Sequence, residues 1–173
     1  MSWQITTHPA GYDLAGNLKL GTDNCFLLMD GARFKSIFGF IYGIEDNPVY
    51  EPLYRGTFYE SALEVSPCLV DIKRRFYKGF LPWFIETGAD ENKAILIQSP
   101  ETLSILAKHF KDNIEAKLPS SEIVMFRFYD PEIFNDLAPL AANANLNKLL
   151  KPCSAIYWKQ NGSLYELSNE QTL

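Results

Sequence analysis

The feature that most narrows the fold is a set of short runs that are apolar at consecutive positions and not at alternate ones. Cys25-Phe26-Leu27-Leu28-Met29 is stopped by Asp30-Gly31, Ala94-Ile95-Leu96-Ile97 leads to Ser99-Pro100, and residues 123–129 lead directly to Asp130-Pro131. Cys68-Leu69-Val70-Asp71-Ile72 reads as a further strand of the same kind. A half-exposed strand would alternate with period two, so runs of this length suit strands covered on both faces. Pro52 forbids a central strand near it, leaving residues 49–58 extended or irregular.

Helical spacing fills the intervals. Phe34, Ile37, Phe38 and Ile41 predict a short helix over residues 34–42, closed at Gly43. Phe76, Phe80, Trp83 and Phe84 fall on nearly one face of a helical pattern over 73–86, where Pro82 predicts a kink or a second start. Leu103, Leu106, Phe110, Ile114 and Leu118 repeat at three and four residues as far as Pro119, and Ser99-Pro100-Glu101 supplies a cap, a proline and an early acid before them. Asp130-Pro131-Glu132 repeats that logic ahead of Ile133, Phe134, Leu137 and Leu140.

The ends are different. Residues 3–23 are rich in turn formers and predict an irregular lead-in, whereas Asn161-Gly162 between two apolar segments predicts a terminal hairpin with a type I′ turn. The expected fold is therefore α/β, a helix-covered mixed sheet with a C-terminal β-hairpin. It is expected as one domain over residues 1–173: a lead-in to residue 23, an α/β core over 24–142, and a short helix and hairpin over 143–173.

Several functions are disfavoured by what is missing. A net charge of -5 gives no electrostatic reason to seek nucleic acid or an anionic membrane. No apolar run approaches the roughly 20 residues of a membrane span, and there is no leader-like start, so a cytoplasmic protein is expected. Cys25, Cys68 and Cys153 are odd in number and far apart, which argues against a disulfide framework and a zinc site. No glycine-rich phosphate loop occurs, and no cofactor is expected. A Cys68–His109 pair is the one catalytic arrangement that can be imagined, against the plainer reading that Cys68 is packed in a strand.

One cation resists a purely apolar account. Arg127 lies inside the run 123–129; if buried it must pair, with Asp30, Asp71 or Glu86 as candidate partners on neighbouring elements. Its setting, Arg127-Phe128-Tyr129-Asp130-Pro131, resembles the hallmark of the type VI secretion effector adaptors or chaperones, a large bacterial group first classed as a domain of unknown function. Other pieces of that family follow in order: Leu-Leu-Met-Asp-Gly-Ala over 27–32, Pro-Leu-Tyr-Arg-Gly-Thr over 52–57, Ser-Pro-Cys-Leu-Val over 66–70, the segment 83–88, and Ser99-Pro100.

The resemblance implies a protein without enzyme activity that holds a toxic effector in the producing cell and helps load it onto the VgrG spike. Members often continue into a further, mostly helical lobe, so this chain looks like a minimal form. An aromatic content of 14% suits such a binder, and Phe76, Phe80, Trp83 and Phe84, with Tyr54 and Arg55, are the candidate contact residues, against the alternative that the aromatic stripe is core. The rival readings are an enzyme using Cys68 and His109, and a structural subunit of the secretion machine.

Overall fold

In the computed structural model the described residues are 2–19, 21–72 and 78–169. Among these residues there are nine strands: β1 (Trp3–His8), β2 (Asn24–Met29), β3 (Val49–Pro52), β4 (Cys68–Asp71), β5 (Ala94–Ser99), β6 (Glu115–Lys117), β7 (Ile123–Met125), β8 (Ala155–Gln160) and β9 (Ser163–Asn169). Six α-helical segments accompany them: α1 (Leu14–Asn17), α2 (Ile37–Ile44), α3 (Phe80–Trp83), α4 (Leu103–Asp112), α5 (Pro131–Leu137) and α6 (Ala144–Leu150). Seven strands form one sheet in the order β1-β9-β8-β5-β2-β4-β3, and β6 pairs with β7 in a separate two-stranded ribbon. This is the α/β architecture with a terminal hairpin that the sequence calls for. Its neighbouring strands all run antiparallel.

Both faces of the central strands are buried, which is why their sequences do not alternate. Phe26, Leu28, Leu69, Ile95 and Ile97 point to one side and pack with Leu106 and Phe110 of α4, Phe134 of α5 and Leu149 of α6. Cys25, Leu27, Met29, Val70 and Leu96 point to the other and pack with Ile37 and Ile41 of α2 and with Phe80, Leu81 and Phe84. Each fully buried large side chain stabilises the fold by roughly 2 kcal/mol. Asn161 and Gly162 both have positive φ, as a type I′ turn between β8 and β9 requires.

Four local expectations change. The lead-in is not irregular, because residues 3–8 form β1 on the sheet edge, from Trp3↔Asn169 to His8↔Leu164. Exposure along it does not follow polarity, since Ile5 is exposed while Thr6 and His8 are half-buried, so it carries neither an apolar run nor a clean alternation. The helix expected to reach Pro119 ends at Asp112; the Asn113 side-chain amide donates to the His109 carbonyl at 2.8 Å, and Ile114 instead accepts from the Phe126 N–H at 2.8 Å. Leu118 fits the helical spacing because a step of four also keeps one face of a strand.

The run 123–129 contributes only the three residues of β7, outside the main sheet. Finally, Thr102 and not Ser99 caps α4, while the Ser99 hydroxyl accepts from the Glu101 N–H at 3.1 Å and donates to the Pro152 carbonyl at 2.6 Å. Pro82 falls in the first turn of α3, which begins at Phe80 after Gly79, whose φ is +86°; the earlier part of the expected helix, residues 73–77, lies outside the described residues. Pro52 lies on the edge strand β3, where a missing N–H is tolerated.

One close approach ties the sheet's end to the loop before β4. A Cβ on Gly31 would stand 2.0 Å from the Ser66 carbonyl oxygen, which belongs to the backbone and cannot swing away. Gly31→Ala should therefore destabilise the protein by about 2–4 kcal/mol; urea unfolding checks this, and a loss below about 0.5 kcal/mol contradicts it.

Candidate functional site

The segment after β2 turns sharply because Asp30 accepts from the Ala32 N–H at 3.3 Å and caps a single turn of 3₁₀ helix, Gly31–Arg33. That turn aims Arg33 back across the chain. Asp130 plays the corresponding part for α5, accepting from the Glu132 N–H at 3.0 Å with Pro131 at the first helical position. The two capping carboxylates face one another with two guanidinium groups between them.

Arg33 Nη2 donates to both oxygens of Asp130, at 3.0 and 3.1 Å, and to Glu132 at 3.3 Å, while its Nε donates to Asp30 at 3.3 Å. Arg127 Nη2 donates to Asp30 at 3.0 Å and stands 3.6 Å from Asp130. Of the three candidate partners for Arg127, Asp30 is the one it meets here. Glu132 also accepts from the Asn92 amide at 3.4 Å.

Asp30 is the group under most electrostatic demand, since its side chain is 0% exposed. Burial raises its carboxyl pKa above the ordinary 3.8; Arg127 pulls it back, Asp130 pushes it further up, and Arg33 lowers it again. Next to this cluster Tyr129 and Tyr54 bring their hydroxyls to 3.2 Å, both against the Met125 sulfur, and burial followed by the Tyr54 hydrogen bond raises the Tyr129 pKa well above its usual 10.0. The Tyr54 N–H donates to the Ser66 hydroxyl at 3.0 Å, and that hydroxyl donates to the Pro67 carbonyl at 2.8 Å.

Sequence pieces that are far apart along the chain thus meet at one junction: residues 27–32, 52–57, 66–70 and 127–131. Segment 83–88 joins through a short relay. The Trp83 ring covers Gly88, where a Cβ would come within 2.5 Å of it, the Gly88 carbonyl accepts from the Lys93 N–H at 3.0 Å, and the Lys93 carbonyl accepts from the Asp30 N–H at 2.9 Å. Arg33 is the member that sequence reading missed. Its signal was an Arg three residues after the capping Asp30, a spacing that returns the guanidinium to its own cap.

The contact residues expected from the aromatic stripe fall elsewhere. Phe80 and Phe84 are core residues, Tyr54 is buried at the junction, and Trp83 is half-buried with its ring centre 4.7 Å from that of Phe40. Among its described members, Phe80 and Phe84 pack wholly against the sheet, and Trp83 keeps part of its side chain open. Phe76 lies outside the described residues. Arg55 stays half exposed, 3.6 Å from Glu51.

Cys68 and His109 do not meet. The Cys68 side chain packs in the cluster that contains α2 and α3, whereas α4, which carries His109, covers the opposite face of the sheet. Burial pushes the Cys68 thiol up to about 12, and His109 Nε2 is hydrogen-bonded to the Leu149 carbonyl at 2.8 Å. Among the described residues no group of three or more His, Cys, Asp or Glu side chains is placed to hold a metal, and no helix is long and apolar enough to cross a membrane.

A mixed α/β domain whose separated motifs close on a buried carboxylate is the class these observations define. The model of a family described as a domain of unknown function, DUF4123, matches residues 25–148, and the chain belongs to that family, one associated with type VI secretion. No curated protein and no solved structure matches the chain.

The sign of the pH dependence follows from the raised pKa of Asp30. The folded protein holds this proton more tightly than the unfolded chain, so the contribution is present below 3.8 and is lost as pH rises through the folded-state pKa. The stability of wild type minus that of Asp30→Asn should accordingly be greater at pH 4 than at pH 7 in paired urea titrations, and the opposite slope would contradict the assignment. Arg33→Met and Arg127→Met each strip a cation from the buried Asp30 carboxylate, and each should cost about 2–4 kcal/mol in urea unfolding; a loss below about 0.5 kcal/mol for both would contradict the pairing.

Proposed function

We propose that the chain is a cytoplasmic adaptor of type VI secretion that binds a cognate effector and helps load it onto the VgrG spike, without catalysing a reaction. The observation that carries this reading is the convergence, around Asp30, of segments 27–32, 52–57, 66–70 and 127–131, four of the sequence pieces on which the family resemblance rests. They form a scaffold of capped turns and ion pairs. Nothing in that scaffold is a nucleophile with an adjacent base, and the rival Cys68–His109 pair is divided by the sheet.

A scaffold of this kind leaves binding to the surface it holds rigid. The loop after β3 is the best presented part of that surface. Thr57 fixes it, donating from its hydroxyl to the Tyr54 carbonyl at 2.7 Å and accepting from the Tyr59 N–H at 3.1 Å. Phe58 projects from it 90% exposed, with Arg55 half exposed nearby in the same loop. An aromatic and an arginine on a fixed loop are the residue types that dominate interface energies, and here they replace the buried stripe as contact candidates.

Co-expression with an effector and a VgrG protein encoded beside it tests the assignment. The tagged chain should retain the effector through purification, Phe58→Ser should weaken that capture at least tenfold with an unchanged melting temperature, and Cys68→Ala with His109→Ala should leave capture unaltered. Failure to retain either protein would overturn the adaptor reading. Incorporation in the assembled sheath at fixed stoichiometry would favour the structural-subunit alternative.

A further inference from the structure

A second polar cluster lies far from the junction, on the sheet face toward α1. Across the sheet the paired positions Gln4↔Ser168, Ser168↔Ala155 and Ala155↔Gln98 form one row, and the next row contains Glu166↔Tyr157. Ser168 and Ala155 are small, so the row forms the floor of a cavity of about 220 Å³, roofed by Tyr12, Asn17, Lys19 and Asp23.

Gln98 is what makes this cavity unusual. The residue is 1% exposed, it lines the cavity, and its side-chain Nε2 has no hydrogen-bond partner. A buried amide donor left unmade costs about 1–3 kcal/mol, so such a group in the core of a sheet calls for an acceptor from outside the chain. Around it the acceptors are anionic. Asp23 is buried and takes the Ser154 hydroxyl at 2.5 Å, and Glu166, opposite Tyr157 in the strand pairing, takes His8 Nε2 at 2.6 Å.

Two carboxylates, one of them already holding His8, stand against one lysine, Lys19, among the lining residues and disfavour a simple anion, while a bare cation would leave Gln98 without its acceptor. We propose that the cavity binds a free α-amino acid, its ammonium set toward Asp23 and Glu166 and its carboxylate accepting from Gln98. The volume suits a molecule of that size, and the site stands independently of the adaptor reading.

The test is thermal melting and calorimetric titration of the full chain with individual L-amino acids, alongside the matching amines without a carboxylate and the N-acetylated acids without an ammonium. At least one amino acid should raise the melting temperature, and its amine and N-acetyl counterparts should not. Gln98→Leu should weaken that ligand at least tenfold while leaving the unliganded protein as stable as wild type or more so. Ser168→Leu, which fills the cavity from a half-buried position, should abolish binding even where the Gln98 variant folds poorly. The proposal is overturned if no amino acid shifts the melt, if the amines and N-acetyl acids act equally well, or if Gln98→Leu destabilises the free protein without changing binding, as an ordered water on Gln98 would produce.

Discussion

Burying the Asp30 carboxylate is the constraint around which this molecule is arranged. A carboxylate taken wholly out of water is tolerated only when paired and hydrogen-bonded, and Asp30 sits at the end of β2, in the middle of the sheet. Two guanidinium groups meet the demand, one from its own turn and one from the segment before α5. Because Arg33 also holds Asp130, the cap of α5 and the cap of the 3₁₀ turn are fixed relative to one another. A pair of isolated caps would orient two short helices separately. Linked through shared cations, they set the angle between the sheet and the helical layer on one face.

The same constraint explains why the neighbouring segments are so particular. Gly31 has no side chain because the Ser66 carbonyl occupies that space, and Ser66 in turn spends its hydroxyl on the backbone of Tyr54 and Pro67. Tyr54 then reaches Tyr129, two residues from Arg127 and adjacent to Asp130. The chain returns to this place from several directions, and each return satisfies a polar group that the previous one had left. Buried polar networks are stabilising only when closed in this way.

The elements that could be read from sequence are those whose signal is local or doubly buried. The central strands β2, β4 and β5 announce themselves by continuous apolar runs, the cap of α5 by Asp130-Pro131, and the last hairpin by Asn161-Gly162. The edge strand β1 could not be read, since an edge with solvent on its residues needs no pattern. The end of α4 was misplaced because Ile114 and Leu118 suit a helix and a strand equally, and the choice was made by pairing with β7, which is information from elsewhere in the chain. For the candidate site the reading was uneven. Asp30 was found as a partner for Arg127, because a buried cation requires an anion. The aromatic stripe misled, since period alone gives a buried face without naming what buries it.

That last distinction bears on how the proposed binding role can be met by so aromatic a chain. The aromatics serve first to fill two layers: Phe26, Phe110, Phe128, Phe134 and Trp158 on one side of the sheet, Phe80 and Phe84 on the other. Once these are used, the large apolar groups left in the open among the described residues are mostly aliphatic, and Phe58 is the most exposed of them. A surface with isolated anchors on a rigid base selects partners by the geometry of those anchors and not by the extent of its apolar area. The ion-paired junction supplies the rigid base, because the loop bearing Phe58 begins at Tyr54, whose backbone and hydroxyl are both held there. Specificity in such a protein would then reside in the loop, with the ion-paired junction holding it in place.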